Sequence, residues 1–226
     1  MKYAGPAAIL FDMDGTLLDS EKLWDEALHA LAAHHGGTLS EQARLAITGR
    51  GADESMAIFY ADLGMTEPDR AADELFIGRR MMELFATDLA WQPGARELVT
   101  QVSSAGLPTA LVTSTHRRLV EVAMASTLGH DTFDVVVCGD EVSSPKPHPE
   151  PYLTAAHRLR APIHRCVAIE DSPTGIASAS ASGAVVVAVP GEVPLADLDG
   201  AHVVGSLVEV DLAYLSRLVS AGTAPR

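Results

Sequence analysis

Near the start of the chain stands the run Ala7-Ala8-Ile9-Leu10-Phe11-Asp12-Met13-Asp14-Gly15-Thr16, in which five apolar residues lead into two aspartates. An unbroken apolar run of this kind is typical of a strand in a parallel sheet that is covered on both faces, and we predict a strand over Ala7–Asp12. Residues two apart along a strand point to the same side, so the two carboxylates should emerge together. They would lie at the carboxyl end of the strand, where open α/β sheets bind ligands.

The paired aspartates also suggest a chemistry. Two carboxylates held close together repel each other, which favours the retention of a proton on one of them. Such a pair can provide a nucleophile and a general acid side by side. The alternative interpretation is a solvated acidic turn in front of the next helix. Three further segments of the sequence favour the first interpretation.

Apolar runs recur along the chain and alternate with helical patterns. We predict further strands at Pro108–Thr113, Phe133–Cys138, Arg165–Glu170, Ala184–Val189 and His202–Val204. Helices are predicted at about Gly94–Ala105, Arg117–Leu128 and Ser172–Gly183. This alternation predicts an α/β protein with a Rossmann-like, doubly wound parallel sheet.

The interval from Ser20 to Asp88 departs from this alternation, because it contains only helical patterns, among them Asp53–Leu63 and Asp69–Phe85. We predict an all-helical cap over residues 19–90, inserted into an α/β core that is formed by residues 1–18 and 91–226. Hinges between the two parts are expected near residues 18–20 and 88–93.

Three other segments place polar residues at the ends of predicted strands or in a loop. Glu170 and Asp171 follow an apolar strand and offer the oxygen ligands that Mg²⁺ prefers. Thr113 and Ser114 end another strand, where hydroxyls and amides can bind an anion, although an ordinary helix cap has the same pattern. Lys146 lies between two prolines that stiffen its loop. Convergence of these segments with the aspartate pair at one sheet edge favours a catalytic site.

Composition argues against several other classes of protein. The chain has 226 residues with 16 basic and 30 acidic side chains, a net charge of −14, which argues against binding to nucleic acid or an anionic membrane. Its two cysteines form no CxxC pattern, so neither a disulfide framework nor a zinc cluster is expected. The first residues lack a signal-peptide pattern, and no apolar run approaches the length of a membrane span. We therefore expect a soluble, cytoplasmic protein.

The sequence resembles the haloacid dehalogenase superfamily of phosphotransferases in four motifs and in their order, namely Asp12-Met13-Asp14-Gly15-Thr16, Thr113-Ser114, Ser144-Pro145-Lys146-Pro147 and Glu170-Asp171-Ser172. The resemblance covers nearly the whole chain and points to the branch that holds small phosphatases of sugar phosphates and β-phosphoglucomutase. It implies an α/β core with a helical cap after the first strand, and a small phosphorylated metabolite as substrate. The family pattern permits a monomer, which is our expectation.

The resemblance also implies roles for the motif residues. Asp12 would be the nucleophile that forms an aspartyl-phosphate, and Asp14 would protonate the leaving oxygen and then activate water. Thr113 and the amide of Ser114 would hold the phosphoryl oxygens. Lys146 would offset the negative charge gathered there, as phosphoryl transfer requires.

The cofactor implied by the resemblance is Mg²⁺. Its ligands would be the carboxylates of Asp12 and Asp171 and the backbone carbonyl of Asp14. Glu170 would be either a further ligand or a close neighbour of the metal site.

Other activities of the superfamily fit the sequence less well. Asp14 argues against a 2-haloacid dehalogenase, which lacks the second acidic residue, and Lys22, the only lysine of the cap interval, is poorly placed to form the Schiff base of a phosphonate hydrolase. β-Phosphoglucomutase implies a histidine where this chain has Trp24 and a phosphate-binding arginine where it has Ala52. Arg50, two positions earlier, is our candidate for a cap residue that contacts substrate. We predict a phosphatase, with a mutase as the alternative and a non-catalytic phosphate-binding module as a third hypothesis.

Overall fold

The computed structural model describes residues 5–47, 52–191 and 200–221. Within them, six parallel strands form one sheet with the order β3-β2-β1-β4-β5-β6, which confirms the predicted fold class. The strands are β1 (Ala8–Phe11), β2 (Thr109–Val112), β3 (Val135–Val137), β4 (Cys166–Glu170), β5 (Val185–Ala188) and β6 (His202–Val203).

The central strand β1 is covered on both faces. Ile9 and Phe11 belong to the apolar cluster on one side of the sheet, and Ala8 and Leu10 belong to the cluster on the other side. All four side chains are fully buried. Because neither face meets water, the strand needs no polar residue in its alternation, and its sequence is an unbroken apolar run.

Nine α-helices occur in the described part of the chain. They are α1 (Glu21–His34), α2 (Glu41–Ile47), α3 (Ala52–Asp62), α4 (Arg70–Thr87), α5 (Ala95–Ser104), α6 (Arg117–Ala123), α7 (Glu150–Arg158), α8 (Pro173–Ser182) and α9 (Leu212–Ala221). Helices α7 and α9 lie outside the predicted helices, and the predicted helix over Arg117–Leu128 changes to a π-helical turn at Met124. No helix among the described residues is long and apolar enough to span a membrane.

Helices α1 to α4 all lie between β1 and β2 in the sequence. They pack around an apolar cluster of their own that includes Leu28, Leu31 and Phe59. Helices α1 and α4 also contribute Leu23 and Met81 to the larger cluster on the sheet. This helical block therefore has an interior of its own and is joined to the sheet by apolar packing.

The two connections between the helical block and the sheet lie side by side. The amide of Asp19 donates to the carbonyl of Ala90 at 2.9 Å, and the amide of Gln92 donates to the carbonyl of Leu17 at 2.8 Å. The chain therefore enters and leaves the block through adjacent, hydrogen-bonded segments.

Candidate active site

The sheet order brings the four motifs of the sequence together. Strands β2, β1 and β4 are parallel neighbours, so their carboxyl ends meet at one edge. Thr113, Asp12 and Glu170 lie at these three ends, and the loop in front of α7 brings in Lys146. Arg50, the candidate for a cap contact, lies outside the described residues.

Lys146 is the buried cation of the site, with 4 % of its side chain exposed. Its ammonium donates to Asp12 Oδ1 at 2.6 Å, to Glu170 Oε1 at 2.5 Å and to the carbonyl of Val112 at 3.0 Å. Burial opposes the charge of this group, but the carboxylates of Asp12 and Glu170 outweigh it and raise the pKa of Lys146. Lys146 is therefore charged, and its ammonium group links the carboxylates of Asp12 and Glu170.

The carboxylates of Asp12, Glu170 and Asp171 are buried and offer oxygens that all lie within 4.8 Å of one another. Burial, reinforced by the negative charge of Glu170, raises the pKa of Asp12 well above its ordinary value, despite the opposing effect of Lys146. Burial and Glu170 also raise the pKa of Asp171 to about 7, against the hydrogen bond from Thr16. One lysine therefore cannot balance the negative charge that these three buried acids would carry together.

This arrangement fits a divalent cation. The donors are all carboxylate oxygens, which are the ligands that hard cations such as Mg²⁺ take, and a cation would supply the missing positive charge. A β-carbon at Gly15 would lie 2.3 Å from Asp171 Oδ2, and one at Gly191 would lie 2.6 Å from the same oxygen. Both positions therefore require glycine, because the backbone lies directly against the Asp171 carboxylate and limits its movement. The described residues contain no other comparable group of three metal-ligating side chains.

Asp14 is oriented by hydroxyl groups. Its Oδ1 accepts from Ser20 at 2.7 Å, and its Oδ2 accepts from Thr115 at 2.7 Å and from Thr113 at 3.2 Å. These donors come from the segment before α1 and from the loop after β2. Hydrogen bonds from three hydroxyls fix the direction of the Asp14 carboxyl group. Asp12 and Asp14, although two residues apart, therefore lie in different environments.

Other residues near this edge have partners of their own. Ser114 follows Thr113 and is exposed. Arg117, at the start of α6, donates to both carboxylate oxygens of Glu141, from Nε at 2.8 Å and from Nη2 at 2.9 Å. Trp24, which stands where a mutase is expected to have a histidine, packs against the apolar cluster of the sheet.

Comparison with known proteins identifies the family. The profile of the haloacid dehalogenase-like hydrolases matches residues 6–183. The chain belongs to this family. CbbY of Rhodobacter capsulatus is 34 % identical over 194 residues, which cover 82 % of this chain and 86 % of that protein. Hexitol phosphatase B of Escherichia coli is 31 % identical over 214 residues, which cover 94 % of each chain. The crystal structure of a mutant CbbY from Rhodobacter sphaeroides in complex with xylulose-(1,5)bisphosphate has a TM-score of 0.80 at 30 % identity, covering 93 % of this chain and 99 % of that one.

The site of this haloacid dehalogenase-like hydrolase includes residues that are not among the candidates drawn from the sequence. Thr16, Ser20, Thr115 and Tyr152 each donate a hydrogen bond from a hydroxyl to one of the motif acids. The first three stand inside or close to a motif, and a hydroxyl residue at such a position is a sequence signal for a contact with the motif acids. Tyr152 gives no such signal, because an aromatic residue in a helix is usually part of the core.

Proposed function

We propose that this hydrolase is a Mg²⁺-dependent phosphatase that releases phosphate from a phosphorylated sugar or polyol through an aspartyl-phosphate on Asp12. The family and the phosphatases among its relatives make the chain a phosphoric monoester hydrolase. The position of Asp12 carries the proposal. It is a buried carboxylate at the end of the central strand, bonded to Lys146 through one oxygen and close to Asp171.

The substrate class rests on the relatives. One of them is named a hexitol phosphatase, and the structure of another contains a sugar bisphosphate. The net charge of −14 does not oppose an anionic substrate, because a bound divalent cation, together with Lys146, would offset the negative charge of the acids at the site.

In the first half-reaction, Asp12 attacks the phosphorus atom while Lys146 holds Oδ1 of this carboxylate. A bond forms between the other carboxylate oxygen and phosphorus, the ester bond from phosphorus to the substrate oxygen breaks, and Asp14 gives its proton to that oxygen. Thr113 and the amide of Ser114 hold the phosphoryl oxygens, and the charge of Lys146 offsets theirs.

In the second half-reaction, water attacks the phosphorus of the aspartyl-phosphate and Asp14 accepts a proton from that water. The bond between phosphorus and Asp12 breaks, so phosphate leaves and the carboxylate is restored. The covalent intermediate divides one difficult displacement into two easier steps. The hydroxyls of Ser20 and Thr115 orient Asp14 for both proton transfers.

Mg²⁺ is the cofactor that we propose for this site. The carboxylates of Asp12 and Asp171 and the backbone carbonyl of Asp14 would hold it, with Glu170 close by. When bound, the ion neutralises the charge of the acids and of the phosphoryl group.

We propose further that residues 19–90 act as a cap on a core formed by residues 1–18 and 91–226. The adjacent connections at Leu17–Asp19 and Ala90–Gln92 support this division, because a rotation about one place would move the whole helical block. With hinges near residues 18–20 and 88–93, closure would exclude bulk water from the aspartyl-phosphate. Arg50 remains the candidate for a cap contact with substrate, and a monomer in the cytoplasm remains our expectation.

Release of phosphate from a panel of sugar, polyol and nucleotide monophosphates tests the proposed function. We expect release from sugar or polyol phosphates with Mg²⁺, and none with chelator or with Asp12→Asn. The matched control is Asp131→Asn, which changes an exposed aspartate outside the motifs and should leave release unchanged. Isomerisation of β-glucose 1-phosphate that outruns phosphate release would identify a mutase instead. Phosphate binding without turnover of any substrate would contradict the proposed function and indicate a non-catalytic phosphate-binding module.

A further inference from the structure

Tyr152 is a buried residue of the site that the proposed mechanism does not use. It lies in α7, and its side chain is fully buried. Its hydroxyl donates to Glu170 Oε1 at 2.6 Å, and the centre of its ring lies 5.2 Å from Lys146 Nζ. One side chain therefore contacts both members of the buried ion pair.

The carboxylate of Glu170 is filled with donors. Oε1 accepts from Lys146 and Tyr152, and Oε2 accepts from the hydroxyl of Ser172 at 3.2 Å and from its amide at 3.4 Å. A carboxylate has about four lone-pair positions, so four donors saturate it. The backbone of Gly175 lies against the same group, since a β-carbon there would be 1.9 Å from Oε1. Glu170 is thus held from several sides, and Tyr152 supplies one of its four donors.

The ammonium of Lys146 is equally saturated. Its three protons face three acceptors, which are Asp12 Oδ1, Glu170 Oε1 and the carbonyl of Val112. The ammonium therefore sits where the three acceptors converge, and a displacement of Glu170 would allow it to leave Asp12. A small displacement of a group that holds a nucleophile lowers the reaction rate strongly, because the reacting atoms must be closely aligned.

We propose that Tyr152 is a positioning residue for Lys146: its hydroxyl fixes Glu170, and Glu170 and the tyrosine ring together hold the ammonium against Asp12. The effect of Tyr152 on the reaction rate rests on the proposed function. The immobilisation of the Lys146 ammonium group does not depend on any substrate. A phenylalanine would fill the same space, so the assignment concerns the hydroxyl group.

Lysine ammonium NMR tests the order of Lys146 without turnover. The chain has three lysines, Lys2, Lys22 and Lys146, and Lys22 is more than half exposed, so few signals compete in protein labelled with ¹⁵N at lysine Nζ. We expect slow proton exchange at Lys146 in the wild-type protein. In Tyr152→Phe, exchange should be about tenfold faster, which is the scale of losing one hydrogen bond to a charged group. Unchanged exchange would overturn the proposal.

Steady-state kinetics with the best substrate of the panel test the consequence for rate. Tyr152→Phe should lower kcat about tenfold, while KM changes less than about twofold. The matched control is Tyr60→Phe, which removes the hydroxyl of another buried tyrosine, in α3 and outside the four motifs, and should retain the wild-type kcat. Equal losses in the two variants, in step with equal falls in thermal midpoint, would show a merely structural role and overturn the assignment.

A double-mutant cycle with Glu170→Ala tests whether Tyr152 acts through Glu170. Once the acceptor is gone, Tyr152→Phe should change kcat by less than about twofold, whereas independent, multiplicative losses would overturn the proposal. If no phosphate ester is turned over, the proposed function fails and the ammonium measurement still decides the structural part. If the wild-type protein and Tyr152→Phe turn over the same ester equally well, only this inference fails.

Discussion

Asp12 and Asp171 are buried acids whose raised pKa values have a consequence for stability. Asp171 has a pKa of about 7 in the folded protein, against an ordinary value of 3.8, because of burial and the neighbouring Glu170. An acid whose pKa rises on folding binds more protons when folded, so the free energy of unfolding falls as pH increases between the two values. This fall in the free energy of unfolding should be present only while no divalent cation is bound to the acids.

In chelator, the free energy of unfolding of the wild-type protein should fall by about 3 kcal/mol as pH rises from about 4 to about 7. Asp171→Asn removes one of the two titrations and should make the fall smaller, leaving the part that Asp12 contributes, and saturating Mg²⁺ should flatten the curve in the wild-type protein. Urea unfolding at a series of pH values measures all three curves. A slope in Asp171→Asn equal to that of the wild-type protein in chelator would contradict the prediction.

Thr115 offers a second prediction at this scale, because its hydroxyl donates to Asp14 Oδ2 at 2.7 Å. Thr115→Val keeps the shape of the side chain and removes the donor, so kcat for phosphate release should fall about tenfold with little change in thermal midpoint. Thr100→Val is the control, because Thr100 is exposed and its hydroxyl donates to the backbone carbonyl of Arg96 in its own helix, away from the site. Equal kcat values for the two variants would exclude Thr115 from orienting Asp14.

At the residue scale, the sequence predicts the acids and the lysine better than it predicts what orients them. Asp12 and Asp171 stand in short motifs at the ends of apolar runs, and the parallel sheet brings such ends together. Lys146 stands in a loop between two prolines and is recognised by that motif. Ser20 and Ser172 are close in sequence to the acids they bond to, but other donors to Asp14 and Glu170 come from distant parts of the chain. Thr115 is 101 positions from Asp14 along the chain, and Tyr152 is 18 positions from Glu170. Such contacts depend on packing between elements, which one-dimensional spacing does not encode.

Helix α8 packs against the site through a glycine. A β-carbon at Gly175, in the first turn of this helix, would lie 1.9 Å from Glu170 Oε1. A glycine inside a helix ordinarily lowers its stability relative to alanine. Its presence here is explained by the close approach of the helix backbone to the buried carboxylate.

Gly175→Ala should therefore lower the free energy of unfolding, by about 2 kcal/mol, and should also lower kcat, because Glu170 must move. The matched control is Gly78→Ala in α4, where a β-carbon would meet nothing within 4 Å. This second substitution should raise the free energy of unfolding by about 0.5 to 1 kcal/mol. Urea unfolding of both variants measures the difference, and a Gly175→Ala protein more stable than the wild type would refute the steric argument.

At the element scale, prediction succeeds where burial leaves a regular pattern. All six strands lie within the predicted runs, and β1, β2 and β4 are buried along their whole length, whereas the short edge strand β6 is exposed. Helix α7 escapes prediction because Pro149 and Pro151 flank its start and resemble loop signals, although proline is acceptable in the first turn of a helix. The predicted helix over Arg117–Leu128 changes to a π-helical turn, a change that the 3.6-residue periodicity does not reveal.

The whole molecule carries a net charge of −14, and its field acts on any anion that approaches. Raising the salt concentration from about 0.01 M to about 0.1 M shortens the Debye length from about 30 Å to about 10 Å. This screening weakens long-range repulsion more than it weakens contacts inside a buried site. The affinity for a phosphate dianion should therefore increase with salt.

We expect the Kd of inorganic phosphate at saturating Mg²⁺ to fall about twofold or more over this range of salt. Calorimetric titration in sodium chloride and in sodium acetate separates screening from the effect of a particular anion. A Kd that increases with both salts would mean that a positive local field extends beyond the site, contrary to the charge distribution inferred here.

Trapping of the covalent intermediate shows which aspartate is the nucleophile. Borohydride reduces an aspartyl-phosphate to homoserine, with loss of phosphate, so protein turning over its best substrate with Mg²⁺ should acquire homoserine at position 12. Peptide mass spectrometry should find this change in the wild-type protein, at no other aspartate, and not in Asp12→Asn. Steady release of phosphate without homoserine at position 12, or with homoserine elsewhere, would contradict the assignment of Asp12 as the nucleophile.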